Sequence, residues 1–299
     1  MAVMTEPKPL THPLPGGREG ATVRLTPLLT GELLAPPEWV RRRRGGMRGL
    51  LGATLGGRGD WIWLPVPAFL VEHPGAGPLL VDTGLHPALV DGPSPNMGRN
   101  AKLLYRPRVT REQNVAAQLE RRGLSTADVR TVVMTHLHVD HASGVEQLPA
   151  ATFVVDAREW AAACAGGWRE GYHARQFDHA FDWRTIDYDA PEIDSFASFG
   201  HSFDLFGDGS VRLLSTPGHT AGHQSVLLRL REREALLTGD ALFTLGTLRD
   251  GDLPLTWEDE HRFRRSLREI ERFLEQTPGA LVIPGHDAPA WQALEPVYE

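Results

Sequence analysis

Cysteine is almost absent from this chain of 299 residues, which contains one, Cys164. A single cysteine excludes an intrachain disulfide and cannot supply the thiolate set of a structural zinc site. It lies within the apolar stretch AAACA at residues 161–165, which favours a structural thiol over a reactive one. The scarcity of cysteine predicts a cytoplasmic protein.

Long apolar runs and an excess of basic residues are also missing. No apolar stretch approaches the ~20 residues of a membrane helix, and residues 1–19 lack the charged, apolar and small segments of a secretory signal. Lysine and arginine total 31 against 38 aspartates and glutamates, giving a net charge of −7. A protein that binds nucleic acid needs a basic surface. We therefore expect neither nucleic acid nor a membrane as a partner.

Histidine and aspartate, in contrast, are concentrated in the segment THLHVDH at residues 135–141, directly after a short apolar run. His136 and His138 are two residues apart, so in an extended segment their imidazoles project to the same side and can bind one divalent ion. In a helix they would not share a face. Asp140 and His141 can then face a second ion. A solvated His-rich tract is the alternative, and it predicts no further ligands downstream.

Three more such residues each follow an apolar run later in the chain. His219 ends the stretch RLLSTPGH, Asp240 ends ALLTGD and His286 ends ALVIPGH, each with a glycine immediately before the polar residue. A strand followed by a glycine turn presents the next side chain at the edge of a sheet. Asp82, at the end of LLVD, is placed in the same way. The downstream residues favour a metal site over a surface tract.

The resulting ligand set contains five histidines and two aspartates. We expect the first ion to be bound by His136, His138 and His219, the second by Asp140, His141 and His286, and Asp240 to bridge them. Two-metal hydrolytic sites hold their ions about 3.5–4 Å apart, so that one hydroxide spans both. Zinc is the first expectation, and iron, manganese or cobalt would suit the same ligands.

This ligand pattern, from about Asp82 to His286, resembles the metallo-β-lactamase superfamily. Within it, the stretch TPGHTAGHQS at residues 216–225 is similar to that of the N-acyl-homoserine lactone lactonases, the quorum-quenching branch. The resemblance implies an α/β fold with a four-layer αββα sandwich, a homodimer and a small-molecule lactone substrate. Two metal ions would share a hydroxide that attacks the ester carbonyl. Asp140 would be the catalytic residue that carries the proton of the water to the leaving group.

Two features depart from the lactonase pattern. In the lactonases of this type a tyrosine stands three positions after the bridging aspartate and contacts the substrate carbonyl, whereas this chain has Phe243. We expect Phe243 to bind substrate as an apolar wall. His141 and His219 are also 219 − 141 = 78 residues apart, which predicts an insertion that includes residues 166–204. Its many aromatic residues form either an apolar subcore, a surface for another subunit, or a wall of the substrate pocket.

Three other residues are expected to support the site. His223 and Asp82 would each hold a ligand or its turn in place through a hydrogen bond, with simple packing as the alternative for His223. Met47 follows the basic run at residues 41–44 in a glycine-rich segment. A glycine-rich loop over such a site can act as a lid, so Met47 is a candidate contact for an acyl chain. A solvated, mobile loop is the alternative.

The remainder of the chain predicts an arm and one domain. Residues 1–20 are rich in proline and polar residues and are predicted to form a flexible N-terminal arm. Residues 21–299 are expected to form a single hydrolase domain. Within it, residues 258–276 have the apolar periodicity of an amphipathic helix. Residues 61–72 have the composition of a strand whose prolines suit an edge or a bend.

Three functions remain open from the sequence. The first is a dinuclear lactonase acting on N-acyl-homoserine lactones or similar lactones. The second is a glyoxalase II-like thioesterase or another carboxylic-ester hydrolase, which would need a cationic site for an anionic thiol carrier. The candidates for that site lie in the predicted helix over residues 258–276, where a solvated face is the alternative: Arg262, Arg264, Arg265 and Arg268. The third is a catalytically silent metal-binding sensor, against which the complete ligand set argues.

Overall fold

The computed structural model describes residues 5–41, 61–92, 96–97, 106–179, 181–251, 253–255 and 257–299. Met47 and the glycine-rich segment around it lie outside the described residues. The strands are β1 (Lys8–Pro9), β2 (Arg24–Ala35), β3 (Ile62–His73), β4 (Gly77–Val81), β5 (Arg106–Arg108), β6 (Thr131–Val133), β7 (Thr152–Asp156), β8 (Asp182–Ile186), β9 (Asp194–Phe196), β10 (Phe199–Asp204), β11 (Val211–Ser215), β12 (Gln224–Arg229), β13 (Glu234–Gly239) and β14 (Leu281–Pro284). The α-helices are α1 (Val115–Glu120), α2 (Ala157–Ala165), α3 (Ala174–Phe177), α4 (Leu245–Asp250), α5 (Glu260–Gln276) and α6 (Ala288–Gln292).

The strands form two mixed sheets. The first has eight strands in the order β1-β8-β7-β6-β4-β3-β2-β5, and the second has six in the order β14-β13-β12-β11-β10-β9. In the first sheet, β4, β6, β7 and β8 are parallel neighbours. In the second, β13 and β14 are parallel, and the other pairs are antiparallel. The segment 166–204 contributes α3, β8, β9 and β10, so it supplies strands to both sheets.

Alternate residues of the central strands enter different apolar layers. Val81 and Val133 belong to the cluster between the two sheets, whereas their neighbours Leu80 and Val132 pack with residues of α1 and α2 outside the first sheet. Leu236 packs with residues of α5 outside the second sheet. Because both faces of these strands are buried, their sequences read as nearly continuous apolar runs. The layers are helix, sheet, sheet and helix, which confirms the predicted αββα sandwich.

Strand direction brings the predicted ligand loops to the same sheet edges. Because β4 and β6 are parallel, the residues after Val81 and after Val133 emerge side by side. In the second sheet, β11, β13 and β14 all run in one direction, since β11 and β13 are each antiparallel to β12 and β14 is parallel to β13. The residues that follow β11, β13 and β14 therefore leave one end of that sheet.

Helix α5 illustrates how the local sequence sets an element. Asp259 caps its first turn by accepting a hydrogen bond from the backbone N–H of Arg262 at 3.0 Å. Phe263 and Ile270 of its apolar face are fully buried against the second sheet. The helix predicted over residues 258–276 is thus confirmed, starting at Glu260. Among the residues that the structure describes, no helix has the length and apolarity needed to cross a membrane.

The N-terminal segment, predicted as a flexible arm, is paired with the body of the protein over its described part. Strand β1 is parallel to β8, and Leu10 is buried. The backbone N–H of Leu14 donates to the Leu205 carbonyl at 2.7 Å, and that of Arg18 donates to Asp208 Oδ2 at 2.7 Å. These partners lie far away in the sequence, so the local composition of the segment could not indicate them.

Strand β3 lies between β2 and β4 in the first sheet, but β4 does not reach its proline-containing half. It pairs with β2 along its length, but with β4 only from Phe69 to His73. Pro65 and Pro67 lie before this stretch, where β4 does not reach. The missing proline N–H groups therefore cost the β3–β4 ladder no hydrogen bond. The sequence predicted an edge or a bend, and this half of β3 agrees with that prediction, because it lacks β4 as a neighbour and because the β2–β3 register shifts between Leu29 and Gly31.

Candidate metal centre

The residues predicted to bind metal come together where the two sheets end. Three overlapping groups have all their ligand atoms within 4.8 Å of one another: His136, His138 and His219; His136, His141 and Asp240; Asp140, His141 and His286. The first and third groups are the two trios predicted from the sequence. The second contains the predicted bridging aspartate. The structure therefore brings all seven residues into one cluster, and their role as metal ligands stays a prediction.

The Asp240 carboxylate lies between the two trios. Its Oδ2 is 3.3 Å from Nε2 of His219 and 3.9 Å from Nε2 of His136. Its Oδ1 is 3.3 Å from Nε2 of His286 and 3.4 Å from Nε2 of His141. Each carboxylate oxygen thus faces one side of the cluster, as a ligand shared by two cations would.

The first trio consists of neutral imidazoles facing each other. Nδ1 of His138 is 2.9 Å from Nε2 of His219. Burial lowers the pKa of His138 to about 4 and the pKa of His136 and His219 well below the ordinary histidine value. Neutral imidazole is the form that binds a metal ion. The three histidines on this side of the cluster are therefore uncharged, which is the form that a cation requires.

The second trio adds a carboxylate to its two histidines. Asp140 Oδ2 is 3.5 Å from Nε2 of His286 and 3.9 Å from Nε2 of His141. Burial favours the neutral form of His141, but Asp82, Asp140 and Asp240 outweigh it and hold the pKa of His141 well above its usual value. The carboxylates of this side thus attract positive charge, which a divalent ion would supply.

Buried polar atoms without hydrogen-bond partners support the same fit. Nε2 of His136, Nε2 of His141 and Oδ1 of Asp240 are all buried, and none of their contacts among the described residues has the geometry of a hydrogen bond. A buried polar atom left unpaired costs about 1–3 kcal/mol. All three atoms belong to the cluster, where coordination of a cation would satisfy them. The imidazoles and carboxylates suit a divalent ion such as zinc.

Asp82 orients two of the histidines. It accepts a hydrogen bond from Nδ1–H of His141 at 2.8 Å and another from the Thr135 hydroxyl at 2.8 Å. The Thr135 oxygen in turn lies 3.1 Å from Nδ1 of His136 and is free to accept its proton. With both Nδ1 atoms donating, the Nε2 atoms of His136 and His141 point into the cluster. The position agrees with the supporting role predicted for Asp82.

His286 is oriented by a carbonyl that sequence reasoning did not identify. Its Nδ1–H donates to the backbone oxygen of Pro65 at 2.8 Å, which leaves Nε2 facing Asp140 and Asp240. The contact joins residues 221 positions apart in the chain. Pro65 lies in the part of β3 that β4 does not cover, so its carbonyl is available. Nothing in the local sequence of either segment could have indicated this bond.

His223 supports the backbone of the bridging aspartate. Its Nε2 accepts the backbone N–H of Asp240 at 3.0 Å, and its Nδ1 lies 2.9 Å from the Thr216 hydroxyl. Burial lowers the pKa of His223 to about 3, so the ring stays neutral and Nε2 remains an acceptor. His223 thus lies outside the ligand trios and contacts the backbone of Asp240. The sequence left simple packing as an alternative, and the hydrogen bonds favour the supporting role.

Phe243 forms an apolar wall beside the cluster. Its ring centroid is 5.2 Å from that of His219 and 5.4 Å from that of His286. Behind it, Phe243 packs with Val40 and Leu64. One part of the Phe243 ring therefore faces both sides of the cluster, and the rest packs against apolar residues. The ring has no hydrogen-bond donor to offer a substrate.

Most of the aromatic residues between 166 and 204 pack internally. Phe177 and Trp183 are fully buried in the layer outside the first sheet. Tyr172 is buried too, and its ring centroid is 5.0 Å from that of His138. Trp168, in contrast, is exposed. The apolar-subcore interpretation therefore holds for the first two, and Tyr172 also packs against a predicted ligand.

Glu159 is a buried carboxylate near the first trio that sequence reasoning missed. It accepts hydrogen bonds from the backbone N–H of Leu137 at 2.9 Å and from the Tyr172 hydroxyl at 3.1 Å. Burial raises the pKa of Glu159 to about 7. The signal in the sequence is that Glu159 shares a face of the short helix AREWAAACA with the apolar residues Trp160 and Ala163, where a charged residue is rarely buried without a partner.

We expect Asp82→Asn to weaken metal binding without changing the fold. Oδ2 of Asp82 accepts the side-chain protons of His141 and Thr135, and Oδ1 accepts the backbone N–H of Thr135. Asparagine has one acceptor oxygen, so its NH₂ group must face one of these donors, and the orientation of His141 or of Thr135 is released. Asp82 has a φ of 57°, a conformation that asparagine tolerates. Loss of such an outer partner reduces metal affinity by about 10- to 100-fold. Competition with a chromophoric chelator measures the change, and an unaltered affinity for both ions would contradict the assigned role.

Comparison with known proteins agrees with this geometry. Residues 61–286 match the model of the metallo-beta-lactamase superfamily. The chain is 32% identical over 243 residues to the N-acyl homoserine lactonase AttM of Azorhizobium caulinodans, an alignment that covers 80% of this chain and 88% of that protein. It is 29% identical over 231 residues to an N-acyl homoserine lactonase of Bacillus cereus, covering 77% and 84%.

Solved structures show the same fold. A mutant of AiiA from B. thuringiensis with N-decanoyl-L-homoserine bound at its active site superposes with a TM-score of 0.75 and 22% identity, covering 96% of this chain and 100% of that one. The superfamily resemblance expected from the ligand pattern is therefore confirmed. The chain belongs to the metallo-β-lactamase superfamily and is a metal-dependent hydrolase.

Proposed function

We propose that this protein is a lactonase that opens the ring of N-acyl-homoserine lactones with the help of two divalent metal ions, zinc in the first place. The observation that carries the proposal is the Asp240 carboxylate, whose two oxygens face the two histidine groups separately. The lactonase relatives support the substrate class. Ring opening adds water across the ester, breaking the ring C–O bond to give a carboxylate and a hydroxyl.

The protein side chains divide the work of this reaction. His136, His138 and His219 would hold one ion, while Asp140, His141 and His286 would hold the other, with Asp240 shared. When bound, the ions supply Lewis acidity, which lowers the pKa of a water and polarises the ester carbonyl. Asp82, His223 and the Pro65 carbonyl fix the orientation of these ligands before substrate arrives. Such preorganisation spares reorganisation during the reaction.

Asp140 is the group we assign to proton transfer. It lies 3.5 Å from His286 and its side chain is more exposed than that of Asp240, 12% against 5%. The attacking water must lose a proton, and the departing ring oxygen must gain one. A carboxylate at the edge of the cluster can accept the first and deliver the second, so that the proton count balances within one turnover.

Phe243 is the residue we assign to substrate contact. Its ring lies beside both His219 and His286, so a lactone at the cluster would meet an apolar surface there. Without a phenol at this position, the residue cannot donate a hydrogen bond to the substrate carbonyl. We infer that polarisation of the carbonyl depends here on the metal ions and that Phe243 contributes apolar contact. A contact from Met47 remains a prediction.

The candidate arginines for a thioesterase lie on α5, and two of them are paired with glutamates of the same helix. On α5, Arg264 pairs with Glu260 at 2.9 Å, and Arg265 pairs with Glu269 at 3.1 Å. These arginines lie on an exposed face with partners one helical turn away, which describes a solvated surface. An anionic thiol carrier would have to displace those partners. The described residues therefore favour the lactone over the thioester.

Proton release in weakly buffered solution distinguishes these functions. Purified protein with its metal content measured is given short- and long-chain N-acyl-homoserine lactones and, separately, an acyl-glutathione thioester. We expect rapid acid production from the lactones with about two metal ions per chain, and loss of turnover after chelation with recovery on adding zinc. Thioester turnover with inert lactones would replace the proposal with the thioesterase. Inertness toward both, with metal bound, would favour the sensor.

Two further properties stay predictions. A homodimer follows from the family resemblance, and light scattering of the purified protein would measure its mass. The cytoplasmic location follows from the near absence of cysteine.

A further inference from the structure

Glu159 occupies a place between two of the loops that carry the first histidine trio. It lies in the first turn of α2 and is fully buried. Its Oε1 accepts the backbone N–H of Leu137 at 2.9 Å, and its Oε2 accepts the backbone N–H of Gly222 at 3.3 Å. One carboxylate therefore joins segments that are 85 residues apart, counted as 222 − 137.

Both segments carry ligands of the same trio. Leu137 stands between His136 and His138, and Gly222 follows His219 by three residues. The two segments meet at the pair formed by Nδ1 of His138 and Nε2 of His219, which are 2.9 Å apart. The separation of these ligand atoms thus depends on how closely the two loops approach, and Glu159 bonds to both loops.

The packing around Glu159 leaves little freedom for either loop. A side-chain carbon at Gly222 would lie 2.2 Å from the backbone nitrogen of Glu159, so the loop after His219 rests directly on α2. Tyr172 donates its hydroxyl proton to Oε1 of Glu159 and packs its ring against His138. A side-chain carbon at Gly171 would lie 2.7 Å from His138. The trio is therefore held from α2 and from the 166–172 loop.

We propose that Glu159 is a positioning residue that sets the spacing of the His136, His138 and His219 trio and thereby its affinity for a metal ion. The three contacts use the side chain only as an acceptor, because Leu137, Gly222 and Tyr172 all donate to it, and a carboxylate only accepts. Glutamine has the same shape, but its NH₂ group would face an N–H or O–H donor. The inference rests on the proposed metal binding, and it concerns one side of the cluster.

The test compares Glu159→Gln with the unaltered protein by titrating metal-free protein with zinc against a chromophoric chelator. We expect one of the two ions to bind about 10- to 100-fold more weakly, while the other keeps its affinity. Cobalt-loaded protein provides a spectroscopic readout, because the visible bands of cobalt report its ligand geometry. We expect a changed spectrum for the weakened site only.

Asp208→Asn is the matched control. Asp208 is also a buried carboxylate that accepts backbone N–H groups, from Arg18 and Ser210, and it pairs with His73 at 2.9 Å. His73 lies at the turn before β4, whereas Asp82 follows the other end of that strand, about 17 Å along. A loss of stability in this variant with unchanged metal affinity shows that general destabilisation does not mimic the effect.

Glu159→Asp is a second variant, which tests the same inference if Glu159→Gln does not fold. Aspartate retains the charge but is one methylene shorter, so it cannot bond to both loops in their present positions. We expect the same selective loss of one ion. Two ions bound with unchanged affinity and spectrum in either folded variant would overturn the inference and leave the proposed function intact. Failure of the unaltered protein to bind two ions would instead refute the proposed function.

Discussion

The Asp240→Asn protein is expected to bind about one metal ion per chain where the unaltered protein binds about two, and to lose most of its lactone turnover. Asparagine keeps one oxygen for one side of the cluster and presents NH₂ to the other, and an amide nitrogen does not coordinate a cation. The two sides, which now share Oδ1 and Oδ2 of one residue, lose the link that holds their ions close.

The rate effect follows from the loss of one electrostatic contact with the carbonyl oxygen. Removing one such stabiliser costs at least about 10²- to 10³-fold in kcat. Metal analysis by mass spectrometry and lactone turnover on the same sample measure both expectations. The Asp208→Asn control should retain both ions and full turnover. A fully loaded, fully active Asp240→Asn protein would refute the bridging role.

Asp140→Asn is expected to lower lactone turnover about 10²- to 10⁴-fold, the usual contribution of a general acid–base. Two effects combine in this variant. Asparagine removes the negative charge that faces His141 and His286, so the ion of that side binds more weakly. It also removes the group that carries a proton to the departing oxygen. The first effect is reversed by excess metal, whereas the second is not.

The leaving group separates these two effects. A thiolactone of the same ring size releases a thiolate, which needs a proton far less than an alkoxide does, since a thiol has a pKa near 8.5. At saturating zinc, Asp140→Asn should therefore lose much less activity on the thiolactone than on the lactone. Equal losses on both substrates would show that Asp140 serves as a ligand without carrying the proton.

The ligand pattern could be predicted from the sequence because each ligand follows a short apolar strand. His136 after β6, His219 after β11 and His286 after β14 are all delivered at strand ends, and that arrangement is local in the chain. The layered fold was expected from the resemblance that this ligand pattern carries, and the nearly continuous apolar strands, buried on both faces, agree with it. The amphipathic α5 could be predicted from its apolar periodicity alone.

The contacts between distant segments could not be predicted in this way. The Pro65 carbonyl that orients His286 depends on how far β4 extends beside β3, and the pairing of β1 with β8 depends on the return of the chain to that edge. The contacts of Glu159 with the backbone N–H groups of Leu137 and Gly222 could not be predicted from its position in a helix. Each of these contacts depends on the packing of segments far apart in sequence.

The sequence by itself therefore determined which residues are available for the metal centre, because side-chain chemistry and strand-end placement are properties of short segments. Only the tertiary structure decided which atom of each ligand faces the centre. The Nδ1 hydrogen bonds of His141 and His286 go to Asp82 and to Pro65, residues far away in the chain, and they leave each Nε2 facing Asp240. The orientation of a ring depends on its hydrogen-bond partner, and the fold selects that partner.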